Sequence, residues 1–558
     1  MSRIYKKNIN KKNAIILLIA ILFLGSILRF YNLDYLSIWL DEAVSWDQSR
    51  HSLYKMLVMT LNDNTPPLHN FILFFIIHTF GDTEFLLRLP SALFGAANII
   101  AIYWVGNLFA NRNVALISSF LLAISGFHIL YSQEARAYTL LCLISTIVVG
   151  SIVKILQEKS SNLWIFLSSF FSVLLLYSHV YGSFLYVSLF FAMSVIFFAK
   201  INKTNPSIKK WLLLQQLSIL WIFLSAFISV LFVYLRSPVY GIFLYISLFF
   251  AMSVIFFQKI QTNSHIKKWL YLQTITIILF IPAAIFLIKN YVYGISKGFW
   301  IIKLSFTSIF NVLRGITFDS LYKTELIGLL LYIFLIIYFF TVLKKLKNKN
   351  FNILNALEEN TFQKDFLLLT WFVGPLTIGI IISMLGSSIL HQRYLICILP
   401  ALIIMASVVI DKLSEKRIIN SIFILIFTCL VFIKIYVTIA DSYIYWRKDD
   451  NRSVVSAYKN FGSSNDCILF YHDYHGVALL YYLKSAPKCF LKINDLKINS
   501  PEIIAAEEKK ETFWLMMTTD FGGKVEVIKD ILNNFKSSGW KIFQHGSTNF
   551  PIYRITHE

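Results

Sequence analysis

Two adjacent acidic residues, Asp41 and Glu42, follow the first strongly apolar segment of the chain by about ten residues. Carboxylates are costly beside a membrane, and a well-placed carboxylate can act as a general base towards a hydroxyl group. The pair therefore indicates acid–base chemistry at a membrane surface. The structural alternative is a helix start, with Asp41 as the N-cap of a helix that begins at Ala43.

Other side chains suited to proton transfer or anion binding lie beside apolar segments spread over more than three hundred residues. They are Asp63, His69, Glu84, Arg88, Glu134, Arg136, His179, His391 and Arg393. A carboxylate can take a proton from an acceptor hydroxyl, and Arg or His can neutralise a phosphate. Together they suit a reaction between a lipid-linked anion and a water-side acceptor. Taken singly, the arginines could be snorkelling residues, and His179 a solvated histidine.

The composition indicates a polytopic membrane protein. Of the 558 residues, 57% are hydrophobic and 15% are charged, and the mean hydropathy is +0.65, which is too high for a soluble globular protein. The formal net charge of +21 does not indicate nucleic-acid binding, because the Lys and Arg residues lie largely in short loops between apolar runs. In that position they set the orientation of the chain in the membrane.

Thirteen apolar runs are long enough to cross a bilayer, which takes about 20 helical residues. They lie at roughly 14–30, 85–108, 114–131, 135–156, 163–179, 181–198, 211–235, 240–257, 268–289, 324–342, 365–385, 394–410 and 418–437. The first run follows a basic stretch without a small-residue cleavage site, which predicts a retained, cytoplasmic N-terminus.

Alternation of these runs across the membrane places the basic loops in the cytoplasm and puts the candidate polar residues at the outer interface. Segment 66–80 is also apolar, but counting it as a span would put the lysine-rich segment 344–349 outside. We therefore interpret 66–80 as a helix on the outer membrane surface, within one extracytoplasmic loop, 31–84.

An internal repeat lies in the middle of the chain. Residues 181–198 recur at 240–257 with identity at 16 of 18 positions, within a duplicated hairpin segment near 164–274. Each copy adds two spans, so the duplication preserves the sidedness of everything that follows. Pro238 replaces His179 in the second copy, so any chemical role of the histidine belongs to the first copy alone.

The last part of the chain changes character. From residue 438, short strand-like runs alternate with helical ones, which predicts a small extracytoplasmic α/β domain at 438–558 behind a transmembrane domain at 1–437. Cys467 and Cys489 could form a disulfide there if the domain faces an oxidising compartment.

Four motifs in order carry a resemblance to a known family: residues 40–42 (LDE), 66–69 (PPLH), 84–95 (EFLLRLPSALFG) and 131–138 (YSQEARAY). They resemble the bacterial membrane glycosyltransferases of family 39, relatives of the protein O-mannosyltransferases and of the lipid A aminoarabinose transferase. The similarity is dense over about 30–140 and thinner through His179, Arg393 and 443–447.

The resemblance implies a polytopic α-helical membrane enzyme with the glycosyltransferase C fold. Such an enzyme transfers a sugar, with inversion, from a polyprenyl-phosphate donor to a hydroxyl of a glycan, a lipid or a protein. The reaction takes place on the extracytoplasmic side of the bacterial inner membrane.

The resemblance also implies residue roles. Asp41 is the catalytic base, and Glu42 orients the acceptor or helps to bind a cation. No motif requires a cofactor, although Asp, Glu and His at this density could bind a divalent ion. Arg88, Arg136 and Arg393 hold the donor phosphate. The supporting residues are Glu134, which positions Arg136, and His69, Glu84, His179 and His391.

Two other classes of protein stay open: a flippase or secondary transporter for lipid-linked sugars, and a non-catalytic member of an envelope assembly complex. A transporter is expected to place its polar groups near the bilayer midplane, on broken helices. The convergence of polar residues at one interface favours the enzyme.

Overall fold

A computed structural model gives the fold of the protein. It describes residues 9–63, 65–157, 162–204, 268–281, 304–317, 325–385, 388–414, 450–463, 466–471, 473–484, 490–493, 512–516, 532–533, 535–537, 539–547 and 550–556.

The described chain is helical up to residue 461. In chain order the helices are α1 (Lys11–Phe30), α2 (Leu40–Ser49), α3 (Leu53–Asn62), α4 (Leu68–Phe80), α5 (Glu84–Phe109), α6 (Arg112–Ala123), α7 (Gly126–Ser132), α8 (Tyr138–Gln157), α9 (Asn162–Ser178), α10 (Val180–Thr204), α11 (Lys268–Ile281), α12 (Phe306–Thr317), α13 (Glu325–Lys347), α14 (Ile353–Ala356), α15 (Asn360–Leu385), a 3₁₀ helix (Gln392–Ile398), α16 (Leu399–Leu413) and α17 (Asn451–Phe461).

Six helical segments within the described residues are long and apolar enough to cross a membrane. They lie in α1, α5, α8, α10 and α15 and in Gln392–Leu413, where the 3₁₀ helix continues into α16. The protein is therefore a membrane protein. The predicted spans 211–235, 240–257 and 418–437, and with them the second copy of the repeat, lie outside the described residues, so the total of thirteen stays a prediction.

The predicted span at 114–131 is not one straight helix. It consists of α6 and α7, which meet at an angle of 60°. The guanidinium of Arg29 donates to the carbonyl oxygens of Leu122 (3.0 Å) and Ala123 (3.1 Å) at the end of α6. These bonds satisfy backbone groups that the helix end leaves without intrahelical partners. Gly95 leaves room for this side chain, because a Cβ there would lie 3.1 Å from Nε of Arg29.

Three short helices, α2, α3 and α4, fill the segment between α1 and α5. The apolar helix α4 begins at Leu68, directly after Pro66 and Pro67. Proline suits a helix start because its missing N–H would have no partner in the first turn. The 13 residues of α4 extend about 20 Å, which is less than the thickness of a bilayer core. The segment therefore forms a helix, as predicted, that is too short to be an upright span.

The C-terminal region carries one mixed sheet. Its strands are β1 (Cys467–Tyr471), β2 (Phe490–Ile493), β3 (Phe513–Met516), β4 (Lys541–Ser547) and β5 (Phe550–Thr556), in the order β2-β1-β3-β5-β4. Strand β1 pairs in parallel with β2 and β3, whereas β5 pairs antiparallel with β3 and β4. One apolar cluster on the sheet includes Trp540, and another includes Tyr458 of α17 and Leu479 of α18 (Asp473–Leu483). A boundary at 437–438 lies outside the described residues and stays a prediction.

Of the two cysteines in the predicted disulfide, Cys467 and Cys489, the structure describes only Cys467. Cys467, at the start of β1, is disulfide-bonded. Cys489 lies outside the described residues, so its pairing with Cys467 stays a prediction. Cys142 and Cys397 are buried free thiols.

Candidate active site

Elements that are far apart in the sequence meet at one end of the helical bundle. The starts of α2, α5, α8 and the 3₁₀ helix, the end of α7 and the junction of α9 with α10 all contribute side chains there. Hydrogen bonds or ring contacts connect these side chains directly, as described below. Most of the candidate polar residues are therefore brought together.

Helix α2 positions the two acids. It begins at Leu40 after the N-cap Trp39, so the acid pair does mark a helix start, but Asp41 is not the N-cap of a helix beginning at Ala43. Both acids lie in the first turn, where the helix dipole favours negative charge. Successive residues on a helix point about 100° apart, so Asp41 and Glu42 face different surroundings.

Asp41 forms an ion pair with an arginine that is 352 residues away in the sequence. The Arg393 guanidinium donates to the Asp41 carboxylate at 2.7 Å, and their side chains are 12% and 21% exposed. Arg393 lies at the start of the 3₁₀ helix, where the rings of Tyr394, Tyr138 and Trp39 lie 5.4 to 6.0 Å from its Cζ atom. The pair is thus enclosed by aromatic rings and still reaches solvent.

Arg136 approaches the same helix from the loop between α7 and α8. Its Nη1 donates to the backbone oxygen of Asp41 (3.2 Å) and to Oγ of Ser45 (3.0 Å), one turn further along α2. Its guanidinium also lies over the ring of Tyr138, at 5.9 Å. Arg136 and Arg393 therefore bring two positive charges to the start of α2.

Glu42 has a different environment. Its side chain is fully buried and accepts two hydrogen bonds from Arg88, from Nε at 2.8 Å and from Nη2 at 2.7 Å. It also accepts the backbone N–H of Ala135 at 2.9 Å, which ties the loop carrying Arg136 to α2. A buried carboxylate held in this way does not reach an acceptor, so the geometry does not fit the role predicted for Glu42.

Arg88 cannot hold a phosphate in this arrangement. Its other hydrogen bonds go to the carbonyl oxygens of Leu33 (2.9 Å), Leu36 (2.7 Å) and Ser37 (3.1 Å). With the two bonds to Glu42, these use all five N–H groups of the guanidinium, which is 1% exposed. This arrangement does not support the role predicted for Arg88 at the donor phosphate: Arg88 instead holds the chain that leads into α2.

Two of the predicted histidines lie beside the arginines. The ring of His179 lies 4.9 Å from that of Tyr394, and burial together with the charges of Arg136 and Arg393 lowers its pKa to about 3. His391 caps the 3₁₀ helix by accepting the N–H of Arg393 at 3.4 Å. Burial and the charge of Arg393 lower the pKa of His391 to about 4, against the opposing effect of Asp41. Both rings are therefore neutral near pH 7.

His69 and Asp63 lie on the side of Arg136. His69, at the start of α4, is 1% exposed, and burial followed by the charge of Arg136 lowers its pKa to about 3. Asp63 accepts a hydrogen bond from Gln48 of α2 at 2.9 Å, and Gln48 accepts one from Asn70 of α4 at 2.6 Å. Desolvation raises the pKa of Asp63, which the charge of Arg136 partly offsets. Asp63 is thus a second carboxylate, bonded to α2, whose pKa responds to the charges of Arg136 and Asp41.

The two remaining predicted residues contribute less directly. Glu84, at the start of α5, forms an ion pair with Arg452 and accepts a hydrogen bond from Tyr482. Both partners belong to the C-terminal region, so the structure does not bring Glu84 to the ion pair of Asp41. The backbone oxygen of Glu134 accepts the N–H of Arg136 at 2.8 Å, and the Glu134 side chain is buried.

Sequence reasoning missed several contact residues. Trp39, Ser45 and Tyr394 touch the arginines without having been singled out. In a chain that is 16% aromatic, a tyrosine next to Arg393 carries no distinguishing signal. Tyr138 could have been singled out, because it is the last residue of the motif at 131–138.

The arrangement combines a partly exposed carboxylate with two guanidinium groups and neutral imidazoles. A carboxylate can remove a proton from a hydroxyl, and paired arginines can hold a phosphate through charge-assisted hydrogen bonds. Within the part of the chain that the structure describes, no group of three or more His, Cys, Asp and Glu side chains is arranged to hold a metal ion.

Comparison with known proteins identifies relatives of this fold. A family model described as dolichyl-phosphate-mannose-protein mannosyltransferase matches residues 64–232. No curated protein matches the chain.

Among solved structures, the oligosaccharyltransferase of Archaeoglobus fulgidus in its apo form aligns with a TM-score of 0.55 and 12% identity. The archaeal oligosaccharyltransferase AglB of the same organism, in complex with an inhibitory peptide and a dolichol-phosphate, gives 0.50 and 13%. Each alignment covers 98% of this chain and 74% of the other. ArnT from Cupriavidus metallidurans, in the apo state, is more distant, at 0.37 and 9%, with 98% of both chains covered. The similarity to the oligosaccharyltransferase establishes the fold.

Proposed function

We propose that this chain, a membrane glycosyltransferase with the glycosyltransferase C fold, transfers a sugar from a polyprenyl-phosphate donor to a hydroxyl group, with inversion at the anomeric carbon. The observation that carries the proposal is the Asp41 carboxylate, partly exposed and 2.7 Å from Arg393, with Arg136 bonded to the same helix turn. This geometry supports the proposal because a carboxylate that can act as a base lies beside two guanidinium groups that can bind a phosphate.

In the proposed reaction Asp41 takes the proton of the acceptor hydroxyl. The acceptor oxygen forms a bond to the anomeric carbon as the bond from that carbon to the phosphate oxygen breaks. The electron pair of the broken bond leaves with the polyprenyl phosphate, whose negative charge Arg393 and Arg136 stabilise. Attack opposite the leaving phosphate inverts the anomeric centre.

The ion pair between Asp41 and Arg393 also affects when Asp41 can act as a base. Among the described residues, the Asp41 carboxylate has one hydrogen-bond partner, Nη1 of Arg393. A phosphate that draws Arg393 towards itself would leave the carboxylate available as a base. Neutral His179 and His391 can then donate or accept hydrogen bonds at the donor without adding charge.

We place this site on the extracytoplasmic side, as the distribution of basic loops predicts. The domain at 438–558 would lie on the same side. The donor sugar is a hexose or pentose, and the acceptor a glycan, lipid or protein. The family model that matches residues 64–232 describes transferases, which does not favour the alternative of a flippase.

The test is mass spectrometry of envelope glycans, lipids and proteins from cells with and without this protein. Cells that lack it should lose one sugar modification, whose identity names both donor and acceptor. Wild-type protein should restore the modification and Asp41→Asn should not. Asp47→Asn is the matched control, because Asp47 lies on the same helix but pairs with Arg50.

Restoration by Asp41→Asn at the wild-type level would refute the assignment of the base. Purified protein that moves labelled lipid-linked sugar across vesicles, and transfers no sugar to any acceptor fraction, would favour the flippase instead.

A further inference from the structure

A short segment of backbone, residues 33–38, connects α1 to α2 and is held from two sides. We call it the strap. On one side Arg88 donates to the carbonyl oxygens of Leu33, Leu36 and Ser37. The strap ends at Ile38, directly before Trp39, the N-cap of α2, so its last residue lies three positions before Asp41.

The C-terminal region holds the strap from the other side. The hydroxyl of Tyr482 accepts the backbone N–H of Ile38 at 2.7 Å and lies 3.0 Å from the Ser37 hydroxyl. The same hydroxyl donates to Glu84. Asn451 donates to the backbone oxygen of Ile38 at 3.0 Å. Both backbone groups of Ile38, which is fully buried, are thus bonded to residues more than 400 positions away.

Arg452 adds bonds to the same segment. Its backbone N–H donates to Oγ of Ser37 at 3.2 Å, and its guanidinium donates to the backbone oxygen of Asp34 at 2.7 Å. It also pairs with Glu84 at the start of α5. Three residues of the C-terminal region therefore bond to the strap.

Helix α18 packs directly on α2. The rings of Tyr481 and Trp46 meet edge to face, with centroids 5.1 Å apart. Trp46 donates to the carboxylate of Asp82 at 2.9 Å, and Tyr481 donates to the backbone oxygen of the same residue at 2.7 Å. An apolar cluster that includes Ile38, Ala43 and Ala478 fills the interface. Movement of α18 would therefore move the helix that carries Asp41.

We propose that Tyr482 is a positioning residue for Asp41, acting through the Ile38 backbone, and that the C-terminal region thereby completes the active site. The importance of Asp41 in this proposal rests on the proposed function. Asp41 meets Arg393 through one guanidinium nitrogen, so a small shift at the start of α2 changes the single hydrogen bond that its carboxylate forms within the described residues. Misplacement of a reacting group by about 1 Å can reduce a rate by about 100-fold.

The test removes one hydroxyl. Tyr482→Phe keeps the ring packed against Tyr481 but leaves the buried N–H of Ile38 without its acceptor. We expect kcat to fall about tenfold, with KM for donor and acceptor within about twofold of wild type, because the lost hydroxyl bonds to the strap and to Glu84 and not to Arg136 or Arg393. Hydrogen–deuterium exchange over 37–45 should become about tenfold faster.

Tyr458→Phe is the matched control. The Tyr458 hydroxyl also bonds to the backbone, donating to the oxygen of Ser463 at 3.2 Å, but this bond stays within the C-terminal region. This variant should keep wild-type exchange over 37–45 and wild-type kcat. Asn451→Ala, which removes the bond to the carbonyl oxygen of Ile38, is a second probe should Tyr482→Phe fold poorly, and it should act like Tyr482→Phe.

Two results would overturn the proposal: exchange over 37–45 that matches Tyr458→Phe in both probes, or faster exchange with unchanged kcat. A wild-type protein that transfers no sugar would refute the proposed function instead. In that case, faster hydrogen–deuterium exchange over 37–45 in Tyr482→Phe would still show that Tyr482 holds the strap.

Discussion

Asp41 and Glu42 are neighbours in sequence, and each pairs with an arginine, but the two ion pairs differ in almost every physical respect. Glu42 and Arg88 are 0% and 1% exposed, meet through two parallel hydrogen bonds and have further backbone partners. Asp41 and Arg393 meet through one bond and are 21% and 12% exposed. One pair is enclosed by the fold, and the other can exchange partners.

Desolvation explains why this difference matters. A buried ion pair repays the loss of hydration only when its geometry and its additional hydrogen bonds are nearly complete, as they are for Arg88. Such a pair fixes neighbouring backbone and cannot take part in chemistry without destabilising the fold. A partly exposed pair with a single bond can open at lower cost. Function is therefore expected at Asp41, and structure at Glu42.

Breaking the buried pair should have the largest effect. Arg88→Met leaves the Glu42 carboxylate buried without its cation and removes three bonds to the strap, which should cost about 3–5 kcal/mol of unfolding free energy. Thermal unfolding in detergent would measure this loss. Arg393→Met is the comparison, and its cost should be much smaller because water can reach Asp41. Equal losses in the two variants would contradict the distinction.

Removing the proposed base comes next. Asp41→Asn should lower kcat by at least about 100-fold, equivalent to roughly 3 kcal/mol, with little change in unfolding temperature. Glu42→Gln should instead lower the unfolding temperature as well as kcat, because it disturbs the buried pair with Arg88. A sugar-transfer assay combined with thermal unfolding of both variants would separate the two acids. Matching profiles would show that they act as one unit.

A conservative change in the partly exposed pair tests the proposed phosphate site. Arg393→Lys keeps the charge but loses the planar fork that suits a phosphate, so we expect about a tenfold loss of kcat/KM for the donor. Donor titrations in the transfer assay would measure the loss. Wild-type kcat/KM in this variant would mean that Arg393 does not touch the donor.

The smallest expected effect concerns pH. The pKa of His69, about 3 in the folded protein, lies below its ordinary value of 6.5, so the unfolded chain binds a proton that the folded chain does not. Stability should therefore fall as pH falls below 6.5, by about 1 kcal/mol between pH 6 and pH 5 from this residue. His69→Asn should flatten the unfolding curve over that range. An identical slope in wild type and variant would contradict the burial effect.

Sequence could predict which residues collect at the active-site end, because apolar runs fix where each helix ends. It placed Asp41, Arg136 and Arg393 together across 352 residues of sequence. It could not separate Glu42 from Asp41, or Arg88 from Arg136. Those distinctions depend on burial and on bonds to backbone oxygens, which no spacing encodes.

The break between α6 and α7 was missed for a related reason. The apolar pattern of 114–131 is continuous, and the carbonyl groups freed at the break are satisfied by Arg29 from another helix. The contacts of Tyr482 and Asn451 were equally invisible, since the C-terminal region carries no motif. Long-range polar contacts of this kind appear only in three dimensions.

The contact between Tyr482 and Ile38 also imposes an order in time on the making of this protein. The two residues are 444 positions apart, and a ribosome adds about 5–20 residues per second, so roughly 20–90 s pass between their synthesis. Throughout that interval the strap of the nascent chain lacks its bonds to the C-terminal region. An incomplete chain would therefore hold Asp41 less firmly than the finished protein does.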